Sequence, residues 1–175
     1  VSFSKHAYGG DYSLGYFYAS EIGLCFHDTF SGHRMEGTYY NGTDKGMLLG
    51  AGYASEHREY INRETTKRTS YLDIKYPFMQ IGYWKKIRSS VKLSGFANIG
   101  YGDSKYRETS QADITAKHMF SVDVGCRVFL GYDLMITKID LIGGGGISTV
   151  FARLDDINES GFPAPYILVG IAIRF

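Results

Sequence analysis

The chain has 175 residues, enough for one domain, and sets 19 Lys and Arg against 18 Asp and Glu. So even a balance lacks the basic excess that nucleic-acid binding demands, and no nucleic-acid partner is expected. Its 22 Gly, 15 Tyr and 11 Phe sit beside only 3 Pro and 1 Trp, which suits strands with aromatic girdles, and no stretch approaches the roughly 20 apolar residues of a membrane helix.

Apolar residues recur with period two, and no segment sustains a period of 3.6 over several turns. Eight strands are predicted, at about 12–28, 33–40, 45–60, 70–85, 89–105, 116–132, 134–150 and 164–175, in a single domain 1–175 with an N-terminal periplasmic segment 1–11. The first strand sets Leu14, Tyr16, Tyr18, Ile22, Leu24 and Phe26 against Gly15, Phe17, Glu21, Gly23 and His27. The second places Glu36 on its polar face and Tyr39 on the other. The third sets Met47, Leu49, Ala51 and Tyr53 against Leu48, Gly50, Gly52, Ala54, Glu56 and Arg58.

The fourth strand breaks the pattern. Leu72, Ile74, Tyr76 and Phe78 share one parity, whereas Met79, Ile81 and Tyr83 share the other. A bulge around Pro77 to Gln80 is predicted to switch the faces, since proline cannot donate to a ladder. Alternation returns in the fifth strand, where Lys92, Ser94 and Asn98 oppose Val91, Leu93 and Ile99. In the sixth, Asp123 and Arg127 oppose Val122, Val124, Cys126 and Val128, and in the seventh Lys138 and Asp140 oppose Ile139 and Leu141. The run GGGG at 143–146 is expected to relieve crowding or bend the wall near the outer rim, because it opens no helix and so forms no phosphate loop. The last strand, YILVGIAIRF, sets Ile167, Val169, Ile171, Ile173 and Phe175 against Tyr166, Leu168, Gly170, Ala172 and Arg174.

The connections alternate in length. TFSGHR, INRETTKRT, SKYRETSQADIT and FARLDDINESGFP are long or polar, and NGTD, KIRSS and GYD between them are short. A barrel in a bacterial outer membrane has that order when both termini are periplasmic. The fold class is therefore all-β, an eight-stranded antiparallel up-and-down transmembrane β-barrel, integral to the outer membrane. No basic segment followed by an apolar one opens the sequence at Val1, which leaves a removed signal peptide open.

Glu21, Glu36, Glu56, Arg58, Lys92, Asp123, Arg127, Lys138, Asp140 and Arg174 all fall opposite the apolar face. An eight-stranded barrel is just wide enough to be filled by side chains, so these are predicted to form a salt-bridged, closed lumen. The opposing possibility is a soluble barrel, charged outside, but the apolar set is too bulky for so narrow an interior. Cys25 and Cys126 fall on opposite faces and should not form a disulfide.

A terminal Phe175 behind alternating apolar positions resembles the signal that outer-membrane barrels offer their assembly machinery, here carried by Tyr166, Ile171, Ile173 and Phe175. SYLDIKYPFMQIGYW followed by SVKLSGFANIGYGDS is similar to the core of the PorT-like barrels of Bacteroidetes, and the GAGY, GYW and GYG positions are similar to the TraO-type conjugal-transfer proteins. Lys75, Tyr76 and Pro77 depart from the usual motif. The resemblance implies location and fold, with no enzymatic activity.

No catalytic set, cofactor site or metal site is predicted. His118 and Ser121 invite comparison with a lipid A deacylase but fall on opposite faces, whereas such an enzyme needs both on one wall. The other histidines lack metal-ligand spacing, and LDDINES lacks the EF-hand pattern. The expected function is a non-enzymatic scaffold or accessory subunit docking with a larger envelope complex of secretion, conjugation or assembly. Its expected partners are outer-membrane lipid, the barrel-assembly machinery and that complex. Tyr16, Tyr18, Tyr39 and Tyr53 are candidates for partner contact, close together on the first three strands. The alternatives are a lipid A-modifying enzyme and a surface-loop adhesion barrel.

Overall fold

The computed structural model describes residues 10–21, 29–61, 68–108, 114–134, 137–152 and 160–175. They form eight strands: β1 (Gly10–Glu21), β2 (Thr29–Asn41), β3 (Lys45–Ile61), β4 (Arg68–Arg88), β5 (Val91–Glu108), β6 (Ile114–Asp133), β7 (Lys138–Ala152) and β8 (Ser160–Arg174). All neighbours are antiparallel and follow chain order, and β1 closes the ring against β8. Following the pairs from Asp11 through Tyr40, Leu48, Gly82, Phe96, Gly125, Gly146 and Tyr166 returns to β1 at Glu21. That offset, about ten residues over eight strands, tilts the strands by roughly 40° and sets a narrow bore.

One rim, here the lower, carries both ends of the described barrel, the tight turns at 42–44 and 89–90, and the facing ends of β6 and β7. Gly42 takes a φ of 92°, a left-handed conformation that glycine adopts without steric cost, and lets β2 reverse into β3. Trp84 Nε1 donates to the Asn41 carbonyl at 3.0 Å and ties that turn to β4. Between the ends of β6 and β7 Leu134 and Thr137 exchange backbone hydrogen bonds of 2.9 and 3.1 Å. GYD is thus the end of β6.

At the upper rim the strands run past their predicted ends. Residues of TFSGHR belong to β2, and β5, β6 and β8 extend into segments read as loop. The reason is visible on the wall. Up there the outward positions become polar, as at Asp73, Lys75, Asp103 and Lys105, and the inward ones become apolar. Leu72, Ile74, Met119 and Val150 form an interior cluster with Ala54, Tyr76 and Phe78. The inside-out pattern turns right way round where the wall leaves its apolar zone, and the ladder continues through the inversion.

This also corrects the reading of β4. Its pairing with β3 runs without a shift from Lys45↔Lys85 to Tyr60↔Ser70, so there is no bulge at Pro77 to Gln80. Leu72, Ile74, Tyr76, Phe78, Gln80 and Trp84 all point inward, whereas Asp73, Lys75, Pro77, Met79, Ile81 and Tyr83 point outward. The GGGG run lies mid-strand in β7, opposite 125–128 of β6, and not at the outer rim. Its inward members make room for large neighbours: a Cβ on Gly144 would stand 3.1 Å from Arg127 Cγ, and one on Gly146 would stand 3.1 Å from the Tyr166 hydroxyl.

Candidate functional site

Alternation along the strands divides the chemistry in two, with a polar lumen and an apolar wall. The lower mouth holds a cluster of charge. Lys92 Nζ and Arg174 Nη1 each lie 3.5 Å from Asp11 Oδ2, and Arg174 Nη2 donates to Asp140 Oδ1 at 2.9 Å. Lys92 also lies over the rings of Trp84 and Tyr40, at 4.8 and 5.4 Å, which holds its ammonium across the mouth. Beside it Tyr40 meets Trp84 and Phe129 edge to face, with centroids 5.9 and 6.1 Å apart.

Above this plate, Glu36 and Arg127 form a two-armed ion pair, Nη2 donating to Oε2 at 3.0 Å and Nη1 to Oε1. The Arg127 guanidinium is sandwiched between Phe17 and Phe96, at 4.6 and 4.1 Å. Gln80 Nε2 links Asn98 Oδ1 at 2.9 Å with Glu36 Oε2 at 3.4 Å. Higher still, Arg34 donates to Glu56 at 2.7 Å and lies 2.8 Å from Asp123, while Tyr76 and Arg58 also donate to Glu56, at 2.6 and 3.1 Å. Arg58 reaches across to Ser148 at 2.6 Å. Among the described residues five buried cations thus face four buried carboxylates, Asp11 supplying a half-exposed fifth at the mouth. Such near cancellation is what makes the burial of so many charges tolerable.

The wall is the reverse. Leu14, Leu49, Met79, Ile99, Val124, Leu141, Ile147 and Ile171 are all exposed, so an apolar belt passes round every part of the ring. Its lower edge is marked by Tyr12, Tyr83, Tyr132 and Phe175, and its upper edge by Tyr18, Tyr53, Tyr101 and Phe120. A monomeric soluble protein rarely exposes a contiguous apolar patch beyond a few hundred Å². A belt with aromatic edges is the surface of a transmembrane barrel.

Glu36, Glu56, Arg58, Lys92, Asp123, Arg127, Asp140 and Arg174 lie buried in the lumen. Lys138 does not. It is exposed at the lower rim, 3.3 Å from the still more exposed Asp133, because β7 begins with it and no wall rises around it. The Glu21 side chain lies outside the described residues, as do Cys25, the LDDINE part of LDDINES and the middle of INRETTKRT. Among the described residues three lumen partners escape the sequence reading, Arg34, Tyr76 and Gln80, whereas Asn98 lies on the lumen side of β5, as its parity predicts. Arg34 shares a face with Glu36 two residues on, a signal present in the sequence; Tyr76 and Gln80 were hidden by the supposed switch in β4.

Tyr166 enters the lumen, its ring 5.0 Å from the Arg34 guanidinium, while Ile171, Ile173 and Phe175 face outward. Of the four tyrosines, Tyr16 and Tyr18 meet His33, whose Nδ1 lies 2.7 Å from the Tyr16 hydroxyl, and Tyr53 lies on the neighbouring strand opposite Met35, diagonal to His33. Tyr39 is not among them. Its ring is tilted against that of Tyr12, with centroids 4.9 Å apart, and it pairs with Leu49, about 13 Å along β3 from Tyr53 at the usual strand rise. His118 faces outward, 2.5 Å from the Tyr101 hydroxyl, and Ser121 is buried in the lumen, so the two never meet. Cys126 is an exposed free thiol, and among the described residues no three His, Cys, Asp or Glu side chains gather as a metal site.

The class defined is a closed eight-stranded antiparallel barrel, apolar without and charged within, the fold of small outer-membrane barrels. No family model and no curated protein matches the sequence. Among solved structures the chain is similar to Ail, the attachment invasion locus protein of Yersinia pestis, with 19% identity, a TM-score of 0.49, and 95% of this chain and 97% of that one covered. It is similar also to the N-terminal β-barrel domain of Pseudomonas aeruginosa OprF, with 9% identity, a TM-score of 0.48, and 95% and 100% covered. A major outer membrane protein from Thermus thermophilus gives 14% identity and a TM-score of 0.47, with 95% and 100% covered.

Proposed function

We propose that the chain spans the bacterial outer membrane as a sealed barrel and works through its outer surface, as a non-enzymatic scaffold or accessory subunit of a larger envelope complex. The observation that carries this reading is the lumen lattice. From Lys92 at the mouth through Arg127 and Glu36 to Arg58, large side chains bonded to one another cross the bore, which leaves wall and rims as working surfaces. On the wall, the Tyr16, Tyr18, His33 and Tyr53 cluster offers aromatic area with polar tips, the mixture favoured at protein contacts and at membrane boundaries alike. The exposed Phe175 and the apolar outward face of β8 support delivery by the barrel-assembly machinery. The SYLDIKYPFMQIGYW segment supports kinship with the PorT-like or TraO-type barrels of Bacteroidetes.

Photoreactive residues at Tyr18 and Tyr53, with Tyr39 as the distant control, test the docking role in intact native membranes. The expected result is a protein adduct at the first two positions. Lipid adducts alone at all three would favour a free-standing barrel. Altered lipid A acylation in cells carrying the protein, compared with cells lacking it, would overturn the non-enzymatic reading.

A further inference from the structure

Around most of the lower rim each described cation has a carboxylate. Lys138 lies 3.3 Å from Asp133, Lys92 lies 3.5 Å from Asp11, and Arg174 meets both Asp11 and Asp140. At the facing ends of β3 and β4 the balance fails. There Lys45, Lys85, Lys86 and Arg88 stand against one carboxylate, Asp44, which lies 3.6 Å from Lys86. Among the described residues Lys45, Lys85 and Arg88 are in no ion pair, and the segments 1–9 and 135–136, which adjoin this rim in the sequence, contain no Asp or Glu. The register gathers these three exposed cations on one face. Lys45 is the direct partner of Lys85, next below the outward pair of Met47 and Tyr83. A one-residue shift between Lys86 and Arg88 then sets Arg88 opposite Val91, on the outward face of β5, where unbroken alternation would have turned it inward. Like charges directly opposite each other destabilise a strand pair, so an anion between them relieves a repulsion that the fold itself leaves in place.

We infer that this patch seats the phosphodiester headgroup of an anionic phospholipid, with Lys45, Lys85 and Arg88 as its partners; the inference rests on the membrane reading above. Height selects the ligand. Met47 and Tyr83, directly above the patch, and Leu93, beside Lys85, are exposed members of the apolar belt, so acyl chains lying on them bring a headgroup down to the three cations. Opposed strand partners lie about 5 Å apart at Cα, close enough for both ammonium groups to share one phosphate. The planar guanidinium of Arg88 adds a fork that matches two phosphate oxygens at once.

The full chain is inserted into vesicles of phosphatidylcholine and phosphatidylglycerol in equal amounts, with the same acyl chains, and bound lipid is measured by native mass spectrometry. Preferential retention of phosphatidylglycerol is expected, with about a thirtyfold loss of that preference in K45Q/K85Q and about a fivefold loss in R88Q. K138Q removes the same charge from a paired position of the same rim and should keep the preference. Equal retention of both lipids by the wild type, or a loss in K138Q equal to that in R88Q, would overturn the headgroup site while leaving the membrane reading intact. Displacement of the lipid by millimolar inorganic phosphate would reassign the patch to free phosphate, and displacement by hexaglutamate but not by phosphate would reassign it to an acidic protein segment; either overturns the lipid assignment. Failure of the wild-type chain to insert into phosphatidylcholine alone would instead sink the membrane reading beneath it.

Discussion

Replacing Glu36 by Gln is the sharpest perturbation of the lumen, because it removes one charge at nearly constant shape. Glu36 accepts both arms of Arg127, and the two side chains are 2% and 0% exposed. Each hydrogen bond between charged groups contributes about 1.5–3 kcal/mol, and breaking a buried pair from one side costs about 3–5 kcal/mol. The Phe17 and Phe96 rings remain beside the guanidinium in the variant, and at about 1–2 kcal/mol for a desolvated cation–π contact they recover part of that loss. A net cost of about 3 kcal/mol is expected, more than a hundredfold in the folding equilibrium. Denaturant unfolding of the vesicle-embedded barrel, followed by band shift on unboiled gels, measures it. In the double variant E36L/R127M both charges are gone, and stability should return to within about 1 kcal/mol of wild type. If E36Q costs under about 1 kcal/mol, or if the double variant is worse than E36Q, the pair is not the buried, mutually dependent element described above.

Three further outcomes are expected. Val124→Arg or Ile171→Arg, outward in the belt, should cost about 2–4 kcal/mol by the same unfolding assay, whereas Ala172→Ser on the lumen side should cost under about 1 kcal/mol. Gly144→Ala would put its Cβ 2.3 Å from the Cys126 carbonyl and should cost about 1–3 kcal/mol, while Gly143→Ala, with nothing within 4 Å, should stay within about 0.5 kcal/mol. In planar bilayers the protein should give no steady single-channel conductance at neutral pH, and regular ohmic steps would mean that the lattice leaves a path.

Much of this was legible in the residues because the wall imposes one rule on every strand within the belt. In β6 and β8 the two faces differ so sharply that parity alone places Val124, Arg127, Ile171 and Arg174 correctly. The rule fails where its cause fails. Above the belt the outer face meets water, so Ile74 turns inward and Lys75 outward, and a reading that keeps apolar residues outward invents a bulge at Pro77. Lys138 has the lumen parity but stands below the last enclosing turn, a matter of height that period two does not carry. Which charge meets which was not legible either, since the pairing of Arg34 with Asp123 and of Arg127 with Glu36 depends on the offset of the closed ring.

The central claim is that one face of every strand meets lipid and the other a sealed interior. Its most direct test is labelling in vesicles by a carbene precursor dissolved in the bilayer, with adducts mapped residue by residue on the unmodified protein. Adducts are expected at Val122, Val124, Cys126 and Val128 of β6 and at Ile167, Val169, Ile171 and Ile173 of β8, with none at Asp123, Arg127, Leu168 or Ala172. Labelling without alternation, or adducts concentrated on the second set, would contradict it.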